Sequence, residues 1–532
     1  MSAPRIRRPL LPRRIRYRIP VRVRQNWRLL TVCTAFLAVL TLVLSTERIR
    51  PYVTSSSDVP SGAVAVDIAG SGELFDPTRA HTISISFRDA DYERMLETYF
   101  KEGEKEYVEA DLTIDGTFIP SVGIRLKGNS TLGALTWKGQ TRSSRQGGAG
   151  GPGGMPGGDG QRPGGGMLPG GGMSRVGLKG EEPETLPWLI RFDEFVEGRR
   201  YQGHQEIAVR VGGMGGGSTV LNEALSLALL DSTGEPAQRY AYTSFRVNDR
   251  PQTARLLVEH PDGNFAERLD STGVLYKSLA SSRFTDQGDD PVEYQDDFNQ
   301  ITMRGSQDLQ PVIDLIQWVD GAGDEEFDAG LADRVDVPSF ARYVALQNLL
   351  LNFDDMAGPG RNYYLWYDLG TKRFRVIGWD HNLTFSGNAE QGPHDSGGFG
   401  MMRNLGGGGL PAPSGAAQPG DVVVQPGGDA AQPGGGNGQG GPRGGMMTGH
   451  RLKERFLASS AFTDEYENAY RALYQEIYGS GRATQTLDAI TTVLKTVDGV
   501  DAGSVETDAT RLRTLVQQRT AALGRHEVIT GS

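Results

Sequence analysis

Apolar and polar positions alternate along Thr82-Ile83-Ser84-Ile85-Ser86-Phe87, the period of a half-buried strand. Helical spacing takes over at 91–101. Strand character returns at 107–114 and 119–126, on either side of Asp115-Gly116, which predicts a hairpin. Strands follow at 187–192 and 206–211, then a helix over 219–230. A second hairpin, 239–247 with 254–259, turns at Asn248-Asp249. A short helix at 263–269 and a strand at 273–277 come next. Residues 309–319 and 337–352 have amphipathic spacing. Asp336 is placed to cap the second of these, which puts Phe340, Val344 and Leu351 on one face. An aromatic strand at 362–367 and a strand at 374–379 flank the short turn 368–372 and can pair antiparallel. Residues 451–523 read as a run of helices. The mixture is of the α+β class.

Composition interrupts this pattern twice. Glycine and proline, 73 and 28 among 532 residues, are densest in two tracts, 146–173 and 388–449. Such segments cannot bury enough apolar area to offset their ordering entropy, so both are expected to be flexible, disordered inserts. What remains suffices for one large domain with two lobes. Charge changes the picture at the start of the chain. Ten arginines and no acidic residue occupy 1–28, so a net charge of −10 leaves the remainder near −20. An acidic body argues against nucleic acid as a partner. The apolar run 29–44, with Ser45 and Thr46, reaches about the minimum length of a membrane-spanning helix. The arginine excess would hold the N-terminus in the cytoplasm and place the main domain outside. A cleaved signal peptide is the rival reading, but Leu44-Ser45-Thr46 is a poor cleavage site. The expected organisation is a basic arm (1–28), an anchor (29–46), a stalk (47–80), a main domain (81–387) and its helical completion (450–532), the second tract lying between these last two. Cys33 is the single cysteine, which excludes intrachain disulfides and cysteine zinc sites.

Candidate chemistry concentrates where helix 337–352 meets the strand pair. Antiparallel pairing brings Asn362, at the start of one strand, beside Asp380, at the end of the other, with Asp354 at the helix exit. Two carboxylates and an amide oxygen could hold Mg²⁺, which favours oxygen ligands and substrate phosphates. Capping and turn roles are the alternative for each residue singly. In protein kinases a catalytic-loop Asp, an Asn a few residues later and a further Asp after a strand pair follow one another in this order. Residues 212–219, GGMGGGST, stand between a strand and a helix as a phosphate loop does, but lack its lysine. They are expected to be a permissive connector, with anion binding at the helix start as the alternative. Glu223, on that helix, is expected to be a solvated charge, or else to orient a basic residue. The aromatics at 363–367 are expected in the core, with a carbohydrate-binding strand as the alternative. His381 does not make a zinc site, since no paired histidine spacing accompanies it.

Taken in order, a series of short motifs resembles the CotH-type atypical protein kinases, the family named for spore-coat proteins. They are Gly123-Ile124-Arg125-Leu126-Lys127-Gly128-Asn129-Ser130, Leu189-Ile190-Arg191-Phe192-Asp193, Tyr201-Gln202-Gly203, Val247-Asn248-Asp249, Leu256-Leu257-Val258-Glu259 and Gly273-Val274-Leu275-Tyr276-Lys277. Asn352-x-Asp354, Asn362-Tyr363-Tyr364-Leu365 and Trp379-Asp380 complete the series. The resemblance covers most of 83–523 outside the two tracts. It implies a two-lobed kinase-like fold, binding of ATP and Mg²⁺, and phosphoryl transfer to protein Ser or Thr. By it Asp354 is the catalytic-loop Asp, Asn362 a metal ligand and Asp380 the principal metal ligand. Where the family usually reads Trp-Asp-Leu-Asp, this chain has Trp379-Asp380-His381-Asn382. Asn382 keeps an oxygen for the metal and loses a charge. The nucleotide-binding basic residue of the first lobe falls to Arg191, Lys127 or Arg125. A catalytically weak or inactive envelope scaffold of the same fold is the alternative to a kinase.

Overall fold

The alternating runs of the first half close into a barrel. The protein's structure, a computed structural model, describes residues 66–128, 131–142, 177–213, 217–269, 271–395 and 449–531. The basic arm, the apolar segment 29–46, most of the stalk, the insert 146–173 and the tract from 396 to 448 lie outside the described residues, as do Asn129, Ser130 and 214–216. Among the described residues no helix is long and apolar enough to cross a membrane.

Seven strands form the barrel: β1 (Ala80–Ser86), β2 (Val108–Ile114), β3 (Thr117–Leu126), β4 (Trp188–Arg191), β5 (Glu206–Arg210), β6 (Tyr240–Val247) and β7 (Thr253–Glu259). Their order around the barrel is β6-β7-β5-β4-β3-β2-β1, and β1 pairs with β6 in parallel to close it. All other neighbours are antiparallel. Period-two alternation sends Ile83, Ile85, Leu112, Ile114, Ile124, Ile190 and Ile207 into one interior cluster, none more than 1 % exposed. Burying each such side chain contributes about 1.5–3 kcal/mol. The turn between β2 and β3 uses positive φ at Asp115 (47°) and Gly116 (84°), as a tight two-residue hairpin requires. Helix α1 (Asp89–Glu102) packs Met95 and Leu96 into the same cluster.

Helix α2 (Leu221–Ser232), between β5 and β6, is buried at nine of its twelve positions, so it is an interior helix rather than a surface one. Its apolar residues share one buried cluster with Tyr240, Tyr242, Leu256 and Val258 of the barrel and with the helical part of the chain. That part is built on a four-stranded antiparallel sheet: β8 (Gly273–Ser278), β9 (Phe298–Gln300), β10 (Tyr363–Asp368) and β11 (Phe374–Gly378), in the order β9-β8-β10-β11. Tyr363, Tyr364, Leu365 and Trp366 of β10 are all buried, as core aromatics should be. Around this sheet lie α3 (Gln310–Gly321), α4 (Val337–Leu349), α5 (Arg451–Ala458), α6 (Thr463–Tyr474), α7 (Arg482–Leu494) and α8 (Ala502–Leu523). Asp336 does cap α4: its Oδ1 accepts from the Ser339 amide at 3.1 Å.

His204, in the turn before β5, is 1 % exposed, with its ring edge 4.9 Å from Phe75. Burial, and then the charges of Arg239 and Arg268, push its pKa down to about 3. Glu259 lies 4.0 Å away, but Arg239 and Arg268 already occupy it. The folded-state pKa lies below the unfolded value, so the neutral ring's stability is complete above pH 6.5 and is lost as pH falls toward 3. The stability advantage of the wild type over His204→Gln, measured by urea denaturation, is expected to shrink by about 2 kcal/mol from pH 7 to pH 5. An advantage independent of pH would contradict this.

Candidate functional site

Helix α4 runs out into the acidic turn. Leu351 takes φ 51° and reverses the chain. Asn352 then holds the turn, donating to Gln347 Oε1 at 2.7 Å and accepting from the Asp354 amide at 3.2 Å. The turn wraps the Asp354 carboxylate. Oδ1 accepts from the Gly360 amide at 2.5 Å, and Oδ2 from Asn362 Nδ2 at 2.9 Å. A Cβ on Gly360 would sit 2.6 Å from Asn362 Nδ2 and 2.7 Å from Asp354 Oδ2, so a side chain there would push the amide and the carboxylate apart. Asn362 Nδ2 also donates to the Asp354 carbonyl at 2.9 Å. This fixes the orientation of the amide and leaves its oxygen, the atom a hard cation would take, without a donor among the described residues. Burial pushes the Asp354 carboxyl up to about 7, helped by the negative charges of Asp380 and Asp355 and opposed by the two hydrogen bonds.

Asp355 turns the other way and is paired with Lys453 of α5. Neighbouring contacts reinforce this join: the Gly449 amide donates to the Ala357 carbonyl at 3.1 Å, and Arg361 Nη1 donates to the Gly449 carbonyl at 2.6 Å. Lys453→Met leaves Asp355, which is 3 % exposed, without its cation. It is expected to cost about 3 kcal/mol in chemical denaturation, and Asp355→Asn in the same chain should restore most of that, since the penalty is an unpaired buried charge. Failure of the second change to restore stability would argue against the pair.

The strand pair delivers Asp380 as expected. Tyr363 lies opposite Gly378, and the Trp379 amide donates to the Asn362 carbonyl at 3.2 Å. Asp380 itself takes left-handed backbone angles, φ 56° and ψ 64°. Its Oδ1 accepts from Arg210 Nη2 at 2.7 Å. Arg210, the last residue of β5, also grips Glu223 Oε1 through Nε at 3.0 Å and Nη2 at 2.8 Å. Glu223 is 3 % exposed, so the expectation of a solvated helix charge is corrected: α2 is interior, and its first-turn glutamate orients a buried cation. Burial opposes ionisation of Asp380, but Arg210 and Lys127 outweigh it and hold its pKa below the ordinary carboxylate value.

Trp379, beside Asp380, is the floor on which cations converge. Lys127 Nζ lies 4.9 Å from the indole centroid, and Lys277 Nζ and Arg210 Cζ each lie 5.3 Å from it. Among the described residues neither lysine's ammonium makes a hydrogen bond or has a carboxylate within 4.0 Å. Lys127 is 8 % exposed, and burial, then the charge of Arg210, pull its pKa well down. Arg125 and Arg191 are placed differently. Arg125 stacks over Tyr107 at 5.1 Å. Arg191 is engaged by Asp193 at 2.7 Å and Glu194 at 3.5 Å. Asn382 is held by its backbone, its carbonyl accepting from Asn222 Nδ2 of α2 at 2.5 Å.

The structure thus joins Asp354 to Asn362, and Asp380 to Arg210 with Lys127 nearby, while Arg125 and Arg191 sit with other partners. Sequence reasoning missed Arg210 and Lys277. A signal for the first existed: a lone charge at the end of the apolar strand Ile207-Ala208-Val209, shortly before a helix with a glutamate in its first turn. The glycine loop ahead of that helix already holds an anion of its own. Asp508 Oδ2, from α8, accepts from the amides of Ser218 at 2.8 Å and Thr219 at 2.7 Å.

The sequence matches the family described as CotH kinase protein over residues 180–522, which take in α2, the acidic turn, the strand pair and α5 to α7. The chain belongs to this family and is a CotH kinase-like protein. No curated protein matches it.

Proposed function

We propose that this protein is a membrane-anchored kinase that transfers the terminal phosphoryl group of ATP to Ser or Thr of a protein, with Mg²⁺. In this reading the barrel is the first lobe, the sheet and helices after it are the second, and the charged cluster lines the cleft. The observation that carries the reading is Lys127, a buried ammonium with no counter-ion within 4.0 Å among the described residues. Burying an unpaired charge is expensive, so such a site is built for an anion that arrives from solution. The donor set suits Mg²⁺: Asp380 and the free oxygen of Asn362 would hold it, with the Asn382 amide as a third oxygen. Bound there, the ion would offset phosphate charge. Asp354, with its pKa near 7, can take a proton from an acceptor hydroxyl at neutral pH. Glu223 fixes Arg210, and Arg210 fixes Asp380. The arginine-rich arm and the apolar run 29–44 support an anchor with the main domain outside.

The full-length protein with labelled ATP and Mg²⁺ tests this. Label should enter protein Ser or Thr, and Asp354→Asn and Asp380→Ala should each reduce incorporation at least about 100-fold. Incorporation that survives both changes would refute the assignment. A second reading, a scaffold with weak or no transfer, is favoured by one observation: Asp380 already spends an oxygen on Arg210, and position 382 supplies an amide rather than a charge. Nucleotide binding without label transfer would favour it.

A further inference from the structure

Lys277 lies on β8, opposite Tyr364 of β10, in the part of the chain that follows the barrel. Its ammonium is 5.7 Å from the Tyr364 centroid and 5.3 Å from that of Trp379. Lys127, at the exit of β3 on the barrel, approaches the same indole to 4.9 Å. The two ammoniums are therefore at most 10.2 Å apart, the sum of their distances to Trp379. Two elements distant in sequence bring like charges to one ring, and among the described residues no carboxylate lies within 4.0 Å of either ammonium. The carboxylates that act on Lys277 through space, Glu206 and Asp380, are engaged elsewhere. Glu206 faces His260 Nδ1 at 3.1 Å and accepts from Tyr107 at 3.3 Å, and Asp380 is bound to Arg210 at 2.7 Å.

We propose that Lys277 is a phosphate-binding residue that works with Lys127 across Trp379, and that the pair takes a chain of two or more phosphates rather than a single phosphate. The inference rests on the nucleotide reading of this cleft and names a residue for it. Two ammoniums held by different elements, neither in a direct ion pair among the described residues, match an extended polyanion. A single phosphate carries about −2 and presents its oxygens around one centre, whereas a triphosphate carries more charge over a longer span. Burial lowers the pKa of Lys277 to about 8, in keeping with a lysine that lacks its anion.

The test is calorimetric titration of the full-length protein with inorganic tripolyphosphate, orthophosphate and adenosine. Wild type should bind tripolyphosphate at least about tenfold more tightly than orthophosphate. Lys277→Met should weaken tripolyphosphate about 10- to 30-fold and leave adenosine unchanged, while Lys277→Arg retains most of the affinity. Lys277→Gln gives the same comparison if the methionine variant folds poorly. Tripolyphosphate affinity equal to wild type in the variants that remove the charge would overturn the inference, as would equal affinity of wild type for the two phosphates. Phosphoryl transfer is followed separately. Transfer in a protein whose Lys277→Met form binds normally defeats the lysine pair alone. Lysine-dependent binding of tripolyphosphate without any transfer defeats the kinase alone.

Discussion

Replacing Arg210 by methionine is expected to cost about 3–5 kcal/mol of stability and to abolish label transfer. Arg210 bridges two carboxylates, Glu223 and Asp380, that come from separate elements. Removing it leaves both without their direct cation in surroundings where burial already drives Glu223 toward its neutral form. The double change Arg210→Met, Glu223→Gln should return part of the stability, because one of the two unpaired charges is gone. It should not return activity, since Asp380 would still lack the group that orients it. Arg210→Lys should fall between, because an ammonium cannot reproduce the fork that reaches both partners. Urea midpoints and label incorporation decide the matter. A methionine variant within 1 kcal/mol of wild type would contradict the account.

Arg519→Met should be as damaging by a different route. Arg519 of α8 is fully buried and has no carboxylate within 4.0 Å among the described residues. Its guanidinium donates to the carbonyls of Leu349 and Asn348, each at 2.8 Å, and of Ala389 at 3.1 Å and Gln391 at 2.9 Å. It also donates to Asn348 Oδ1 at 2.9 Å. These acceptors are the end of α4, which leads into Asp354, and the chain that leaves Asp380. Backbone carbonyls have no protonated form to retreat to, so a second mutation cannot relieve them as it can at Arg210. A loss of about 3–5 kcal/mol is expected, read from the denaturation midpoint, and a loss under about 1 kcal/mol would show that water replaces the guanidinium.

Much of the local structure was legible because it is local. The Asp115-Gly116 turn, the Asp336 cap and the strand pair that carries Asn362 to Asp380 each depend on residues a few positions apart. The Asp354–Asn362 contact follows from one turn, with Gly360 at its narrow point. What could not be read depends on partners far away in sequence. Arg210 looks like an ordinary strand-end charge until α2 and the chain after β11 close over it. Glu223 looks solvated until both faces of α2 are covered. Lys277 looks like the outer residue of a strand, and only the approach of Lys127 to the same indole gives it a companion. The filling of the glycine loop's amides by Asp508 joins residues some 290 apart, beyond any motif.

The parallel seam between β1 and β6 has a consequence for how the chain is made. Ile83 pairs opposite Phe245, so one edge of the first barrel strand waits until more than 150 further residues have emerged. Loop closure over that distance makes late, non-local pairing slow, and an unpaired strand edge is an aggregation hazard meanwhile. The other edge of β1 is satisfied early by β2, which narrows the hazard to one side. Synthesis of the polypeptide, rather than the strength of the finished barrel, is then the stage at which this protein is most exposed to misassembly.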